Sequence, residues 1–248
     1  MTEHTTDTGT TAHGARAGAD GATARTGTAA GTAATARDDD AAHTAPTGAD
    51  QATAPEGLGF TRLLLVATGS VSAAELPSWI AWLRATHPAL EIQTVLTRSA
   101  QRFVTRESLN LLTGRRTMVD AWPEEPVLRA PHVDLTAWAE AVLVHPSTFS
   151  YTARLALGLA DSPSLLTAQC TAAPVAVAPA LPPGGVRSHA YRRHVEALAE
   201  RPNCVVVPPV PALSLTTGRT DSWAAAPLPD VLDALAALHH RLTAEPTP

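Results

Sequence analysis

From residue 61 onward the sequence alternates short apolar runs with amphipathic stretches, and this alternation restricts the fold more tightly than any other feature. The run RLLLVA (62–67) is apolar at consecutive rather than alternate positions, as a strand covered on both faces must be. It enters a small, hydroxyl-rich turn at Gly69, Ser70 and Ser72, after which residues 73–86 place Leu76, Ile80 and Leu83 on one helical face. EIQTVLT (91–97) reads as a second strand, and SAQRFVTRESLNLLTG (99–114) as a helix capped by Ser99 and stopped at Gly114. TMVD reads as a short strand, PEEPVLRAPHVDL (123–135) as a loop, and EAVLVHP (140–146) as a buried strand ending in another small polar turn. STFSYTARLALGLA predicts a helix with Leu155 and Leu159 on one side, and PSLLTAQC a short second one. APVAVAPA is strand-like, VRSHAYRRHVEALAE helical, NCVVVPP a strand, and LPDVLDALAALHHRL a closing amphipathic helix. The pattern predicts a single α/β domain, a parallel sheet with helices on both faces.

Composition divides the 248 residues in two. Residues 1–58 are mostly Ala, Thr, Gly and Asp, too poor in large apolar side chains to offset ordering entropy, so disorder is expected there. The segment lacks the apolar core of a targeting peptide. The folded unit is expected over 59–246, within the usual domain size of roughly 50–250 residues. No apolar run reaches the ~20 residues a membrane helix needs, so a cytoplasmic protein is expected. A net charge of −5 and the absence of lysine speak against nucleic acid. Cys170 and Cys204 are the only cysteines, which excludes a disulfide scaffold and a Cys-rich zinc site. None of the ten histidines has a metal-ligand spacing, and His239-His240 reads as a solvated helix end, so no metal is assigned.

In parallel sheets ligands gather at the carboxyl ends of the strands, here the turns at 68–72, 97–99 and 145–150. The chain contains no GxGxxG, GxxxxGK[ST] or GxSxG, which disfavours a dinucleotide, a P-loop nucleotide and an α/β-hydrolase. Three Ser/Thr-lined turns suit a mononucleotide such as FMN, whose phosphate is held by N–H and hydroxyl groups without Lys or Arg. Ser70, Ser72 and Ser99 read equally as plain helix caps, because a cap and a phosphate ligand share one geometry.

In PHVDLTAWAEAVLVHPSTFS, His132 stands fourteen residues before Pro146. That spacing resembles the flavin-containing cysteine decarboxylases: the enzymes acting on the C-terminal cysteine of lanthipeptide, linaridin and related precursors, and phosphopantothenoylcysteine decarboxylase. Gly158 and Asp161 in GLAD, SLLTAQC, TRSAQRF and TTGR (216–219) agree with it, over roughly residues 60–245. Two stretches depart from the family pattern. Ser150 stands where the family has the Asn that contacts the substrate carboxylate, with Phe149 and Tyr151 in place of small residues. PALPPGGVRSH replaces the Met- and Trp-containing stretch that closes over the substrate, between Pro179 and Ala190. The late loop LSLTTGRTDSW lacks the Cys of the coenzyme A branch, which favours the peptide-modifying one, and no Arg cluster suits the isoprenyl phosphate of the related flavin prenyltransferases.

The resemblance implies a Rossmann-like or flavodoxin-like domain that binds FMN and oxidatively decarboxylates a peptide's C-terminal cysteine, giving the enethiol of aminovinyl-cysteine rings. It implies that hydride removal from the β carbon makes a thioaldehyde that accepts the electron pair released with CO2, with His132 as the base. FMN would be held by Gly69, Ser70, Ser72, Thr97, Ser99, Phe103, Pro146, Ser147 and Thr148. Phe149, Ser150 and Arg219 would hold the substrate, Arg219 reading equally as a solvated loop residue. It implies a homo-oligomer, a trimer or a dodecamer built from trimers, with the flavin between subunits. His145 reads as a strand-edge residue, Trp138 and Phe149 as core or cofactor packing, and Cys170 as a small buried hydrophobe. The alternatives are a non-catalytic flavoprotein partner or scaffold, favoured by Ser150 and the altered clamp, and phosphopantothenoylcysteine decarboxylase itself.

Overall fold

The computed structural model describes residues 57–244. The expected disorder over residues 1–58 lies outside them except for its last two positions, and there Leu58, 8% exposed, already packs into the core beside Phe60.

Six strands form one parallel sheet: β1 (Arg62–Ala67), β2 (Glu91–Leu96), β3 (Met118–Val119), β4 (Ala141–Thr148), β5 (Val175–Ala180) and β6 (Cys204–Val206). Their order is β3-β2-β1-β4-β5-β6, so the chain's path across the sheet reverses between β1 and β4. Consecutive apolar residues follow from burial on both faces. Leu63 and Leu65 join one cluster with Ile92, Leu96 and Leu143, while Leu64 and Val66 join the other with Val95, Val142 and Val177. Each such side chain, when fully buried, contributes about 1.5–3 kcal/mol.

The first face is covered by α1 (Leu76–Thr86), α2 (Arg106–Thr113) and α7 (Leu228–Ala244), and α7 buries Leu228, Val231, Leu232, Leu235 and Leu238 at helical spacing. The second is covered by α3 (Pro131–Trp138), α4 (Phe149–Ala156), α5 (Pro163–Cys170) and α6 (His189–Ala199). Among the described residues no helix is long and apolar enough to cross a membrane.

Several expectations are corrected. The stretch 99–114 is a single 3-10 turn, Ala100–Arg102, followed by α2, because Thr105 rather than Ser99 supplies the cap by accepting from Ser108 N at 3.2 Å. Gly114 does end α2, at φ +69°. Residues 131–135, read as the end of the 123–135 loop, belong to α3, which is started by Pro131 at its first turn, is seated on the sheet by Leu135 and runs on to Trp138. The late loop carries an unforeseen antiparallel hairpin, β7 (Val210–Ala212) and β8 (Ser222–Ala224). Leu159 is 43% exposed, because α4 ends at Ala156. Cys170 ends α5 exposed, whereas the Cys204 thiol is buried on β6 and pushed up to about 11. His239 and His240 are half-buried, with His239 edge-on to Phe60 at 5.6 Å.

Candidate functional site

The point where the strand order reverses leaves a crevice, because the connections after β1 and β4 depart toward opposite faces. A cleft of about 570 Å³ opens there, within the 300–1,000 Å³ typical of ligand sites. The turn after β1 supplies Gly69, Ser70, Val71 and Ser72, and the β4–α4 junction supplies Thr148, Phe149 and Ser150. Phe103 forms another side, and the wall opposite comes from Leu181 to Pro183 and from the β7–β8 hairpin. No charged side chain among the described residues borders it.

Local chemistry holds the two turns in register. Thr68, 1% exposed, donates its hydroxyl to the Pro146 carbonyl at 2.8 Å and accepts from Thr148 N at 2.7 Å. The Thr68 N–H adds a bond of 3.1 Å to the same carbonyl, beside the cis His145–Pro146 peptide. Ser70 caps the 3-10 turn Val71–Glu75 by accepting from Ser72 N at 3.4 Å, and Thr148 caps α4 by accepting from Tyr151 N at 3.4 Å. Two helical starts thus meet at the cleft, each with first-turn amides that have no intrahelical acceptor. Gly69 lies so close to Ser99 that a Cβ on it would collide with the Ser99 Oγ and stand 2.5 Å from the Ser99 Cβ. Neutral hydroxyls, free amides and a close backbone approach are the donor set of a phosphate site that needs no cation.

Behind this wall the polar groups are paired. Ser147 is fully buried and shares a 2.8 Å hydrogen bond with Thr152. Tyr151, 2% exposed, points away from the cleft to Ser164 Oγ at 2.8 Å, and burial raises its phenol pKa. Ser164 N and Ser162 Oγ in turn donate to Asp120 at 2.9 and 2.8 Å, which pins the start of α5 to the end of β3. Asp161 pairs with Arg154, which holds its carboxyl below the usual range, and its carbonyl accepts from Trp122 Nε1 at 3.0 Å.

Of the predicted residues, Gly69, Ser70, Ser72, Phe103, Thr148, Phe149 and Ser150 border the cleft together. Thr97, Ser99, Pro146 and Ser147 do not border it: Thr97 Oγ1 and Ser99 Oγ lie 3.3 Å apart, and Pro146 offers its carbonyl to Thr68. Arg219 is outside, on the exposed hairpin tip, paired with Asp221 at 3.3 Å. His132 is also outside. It sits in the first turn of α3, edge-on to Trp122 with ring centroids 5.6 Å apart, and its buried Nδ1 has no hydrogen-bond partner among the described residues. Trp138 lies far along α3, under the Arg115 guanidinium at 4.6 Å. His145 is buried at 1% exposure with Nε2 2.9 Å from the Ala226 carbonyl, and burial lowers its pKa. Sequence reasoning missed the hairpin wall, Leu213 to Thr216 and Trp223, because two three-residue strands rich in Pro and Ala carry no periodicity. Among the described residues no group of three His, Cys, Asp or Glu side chains gathers as a metal site.

The Flavoprotein family profile matches residues 52–240 of the chain. The cypemycin cysteine dehydrogenase (decarboxylating) of a Streptomyces species is 34% identical over 153 residues, which cover 62% of this chain and 79% of that protein. The crystal structure of the cypemycin decarboxylase CypD superposes with a TM-score of 0.60 at 30% identity, covering 75% of this chain and 97% of that one. That of the FMN-dependent cysteine decarboxylase SpaF superposes with a TM-score of 0.62 at 27% identity, covering 74% and 99%.

Proposed function

The chain belongs to the Flavoprotein family, and from that premise we propose that it binds FMN in the cleft between β1 and β4 and oxidatively decarboxylates the C-terminal cysteine of a ribosomally made peptide. The observation that carries this reading is the uncharged cradle of hydroxyls and helix-start amides at the reversal point of the sheet, in a chain whose relatives are cysteine decarboxylases. Ser70, Ser72 and Thr148 hold the phosphate, with Gly69 letting the backbone approach it and Ser99 packed against Gly69. Phe103 and Phe149 offer aromatic faces to the ring system, and Ser150 donates to the peptide carboxylate. When bound, FMN supplies the two-electron acceptor that a cysteine side chain lacks, so that carbon dioxide leaves an oxidised residue.

His132 moves the proton, and its place outside the cleft of its own chain calls for a second copy that brings it to the neighbouring site. Val127, Leu128 and Val133, close to it in sequence and at 53, 105 and 52% exposure, offer apolar surface that such an association would bury. The working unit is therefore a homo-oligomer built from the domain at 59–246, and its free thiols suit the cytoplasm.

The test is the visible spectrum of the purified protein followed by mass spectrometry of a peptide ending in cysteine. Flavin bands and a loss of about 46 Da, the mass of CO2 and two hydrogens, are expected. A colourless protein, or a flavin-loaded one that leaves every cysteine-terminated peptide unaltered, overturns the reading.

A further inference from the structure

A peptide substrate extends upstream of its terminal cysteine, at about 3.3–3.6 Å per extended residue. A cleft of about 570 Å³ takes one cofactor-sized guest and little more, so the rest of the peptide must leave over its rim. A second concavity of about 370 Å³ adjoins the first and is bounded by Tyr191, Val195, Val206, Pro208, Pro209 and Trp223. Two contacts link the pair. Trp223 borders both, and Phe149 of the first packs against Tyr191 of the second, with ring centroids 6.2 Å apart. The divider is also fixed: Trp223 and Leu181 exchange backbone hydrogen bonds of 2.8 and 3.0 Å, which anchor β8 at the end of β5.

The second cleft is built for side chains rather than for strand pairing. Its two consecutive prolines have no N–H to donate, and its aromatic and aliphatic walls suit an extended apolar segment. Arg192 and Glu196, one turn apart on α6, stand exposed at its edge and form no ion pair among the described residues.

We infer that this second cleft receives the apolar stretch of peptide immediately upstream of the C-terminal cysteine, which crosses Trp223 on its way out of the first. The inference rests on the decarboxylase reading and adds where the body of the substrate lies.

Full-length, FMN-loaded wild type and Val195→Glu are compared on an uncharged dodecapeptide ending in cysteine and on its C-terminal tripeptide. The variant is expected to lower kcat/KM for the dodecapeptide about tenfold and to leave the tripeptide unchanged. Equal loss on both peptides, or none on either, overturns the inference. So does a loss accompanied by a smaller mass in light scattering, which assigns the cleft to a second copy of the chain. A wild-type measurement decides the matter if the variant fails to fold. The dodecapeptide, carrying benzoylphenylalanine four residues before its cysteine, is photo-crosslinked and the adduct mapped. Adducts between Val186 and Pro209 support the inference, and adducts confined elsewhere overturn it. If wild type converts neither peptide the decarboxylase reading falls, while the crosslink still reports where the peptide lies.

Discussion

Gly69 and Thr68 are adjacent in sequence and act on the cleft in different ways. A side chain on Gly69 would press against Ser99, whose carbonyl carbon lies 3.2 Å from the added Cβ, so the turn would have to withdraw from whatever it holds. Gly69→Ala is expected to raise the FMN Kd about tenfold or more, read by flavin fluorescence quenching, with the far-UV spectrum unchanged. Thr68 acts on stability instead. Replacing it with Val keeps the shape and removes the hydroxyl that bridges Pro146 and Thr148, which leaves Thr148 N without its acceptor. A cost of about 1–3 kcal/mol in urea unfolding is expected, with Thr68→Ser retaining most of the stability. The glycine was marked by its place at a strand end. The threonine's role was hidden, because its partners lie 78 and 80 residues away.

At the scale of elements, the hairpin wall is tied to the sheet through His145. Its ring reaches from β4 to the Ala226 carbonyl, two residues past β8, and burial pushes its pKa down although that carbonyl and Glu75 favour the charged form. In the unfolded chain the imidazole returns to about 6.5. Above that pH both states are neutral and the group adds no pH dependence. As the pH falls below it, the unfolded chain binds a proton that the folded chain refuses, and stability drops until the lowered folded pKa is reached. Urea unfolding at pH 7.5 and 5.5 is expected to show wild type losing up to about 1.4 kcal/mol per pH unit relative to His145→Gln, whose amide still donates to Ala226. Parallel slopes would contradict it. The elements were legible wherever a run was long and apolar, as in β1, β4 and α7. They were not at 131–138, where a proline and a charged first turn masked α3.

For the whole molecule the test falls on His132, the proposed proton-handling residue, which the fourteen-residue spacing singles out and which does not border its own chain's cleft. If an adjacent copy completes the site, two inactive chains must complement each other. Co-expressed His132→Ala and Gly69→Trp chains are expected to recover part of the decarboxylase activity that neither has alone, with light scattering giving a mass that is a multiple of the chain's 25.7 kDa. A single-chain mass, or no recovery in the mixture, would place the proton-handling group elsewhere.

The sheet, its coverage on both faces and the carboxyl-edge turns were readable from residue order alone, since burial on two faces demands uninterrupted apolar runs and one hydroxyl-rich turn per strand end is a local signal. Which turns meet was not. That Gly69 to Ser72 face Thr148 to Ser150, that Thr97 and Arg219 fall outside, and that Trp223 closes the far wall all follow from the order β3-β2-β1-β4-β5-β6 and from a hairpin folded back on β5. Those neighbours are set by long-range pairing, which leaves no trace in the local pattern of a single chain.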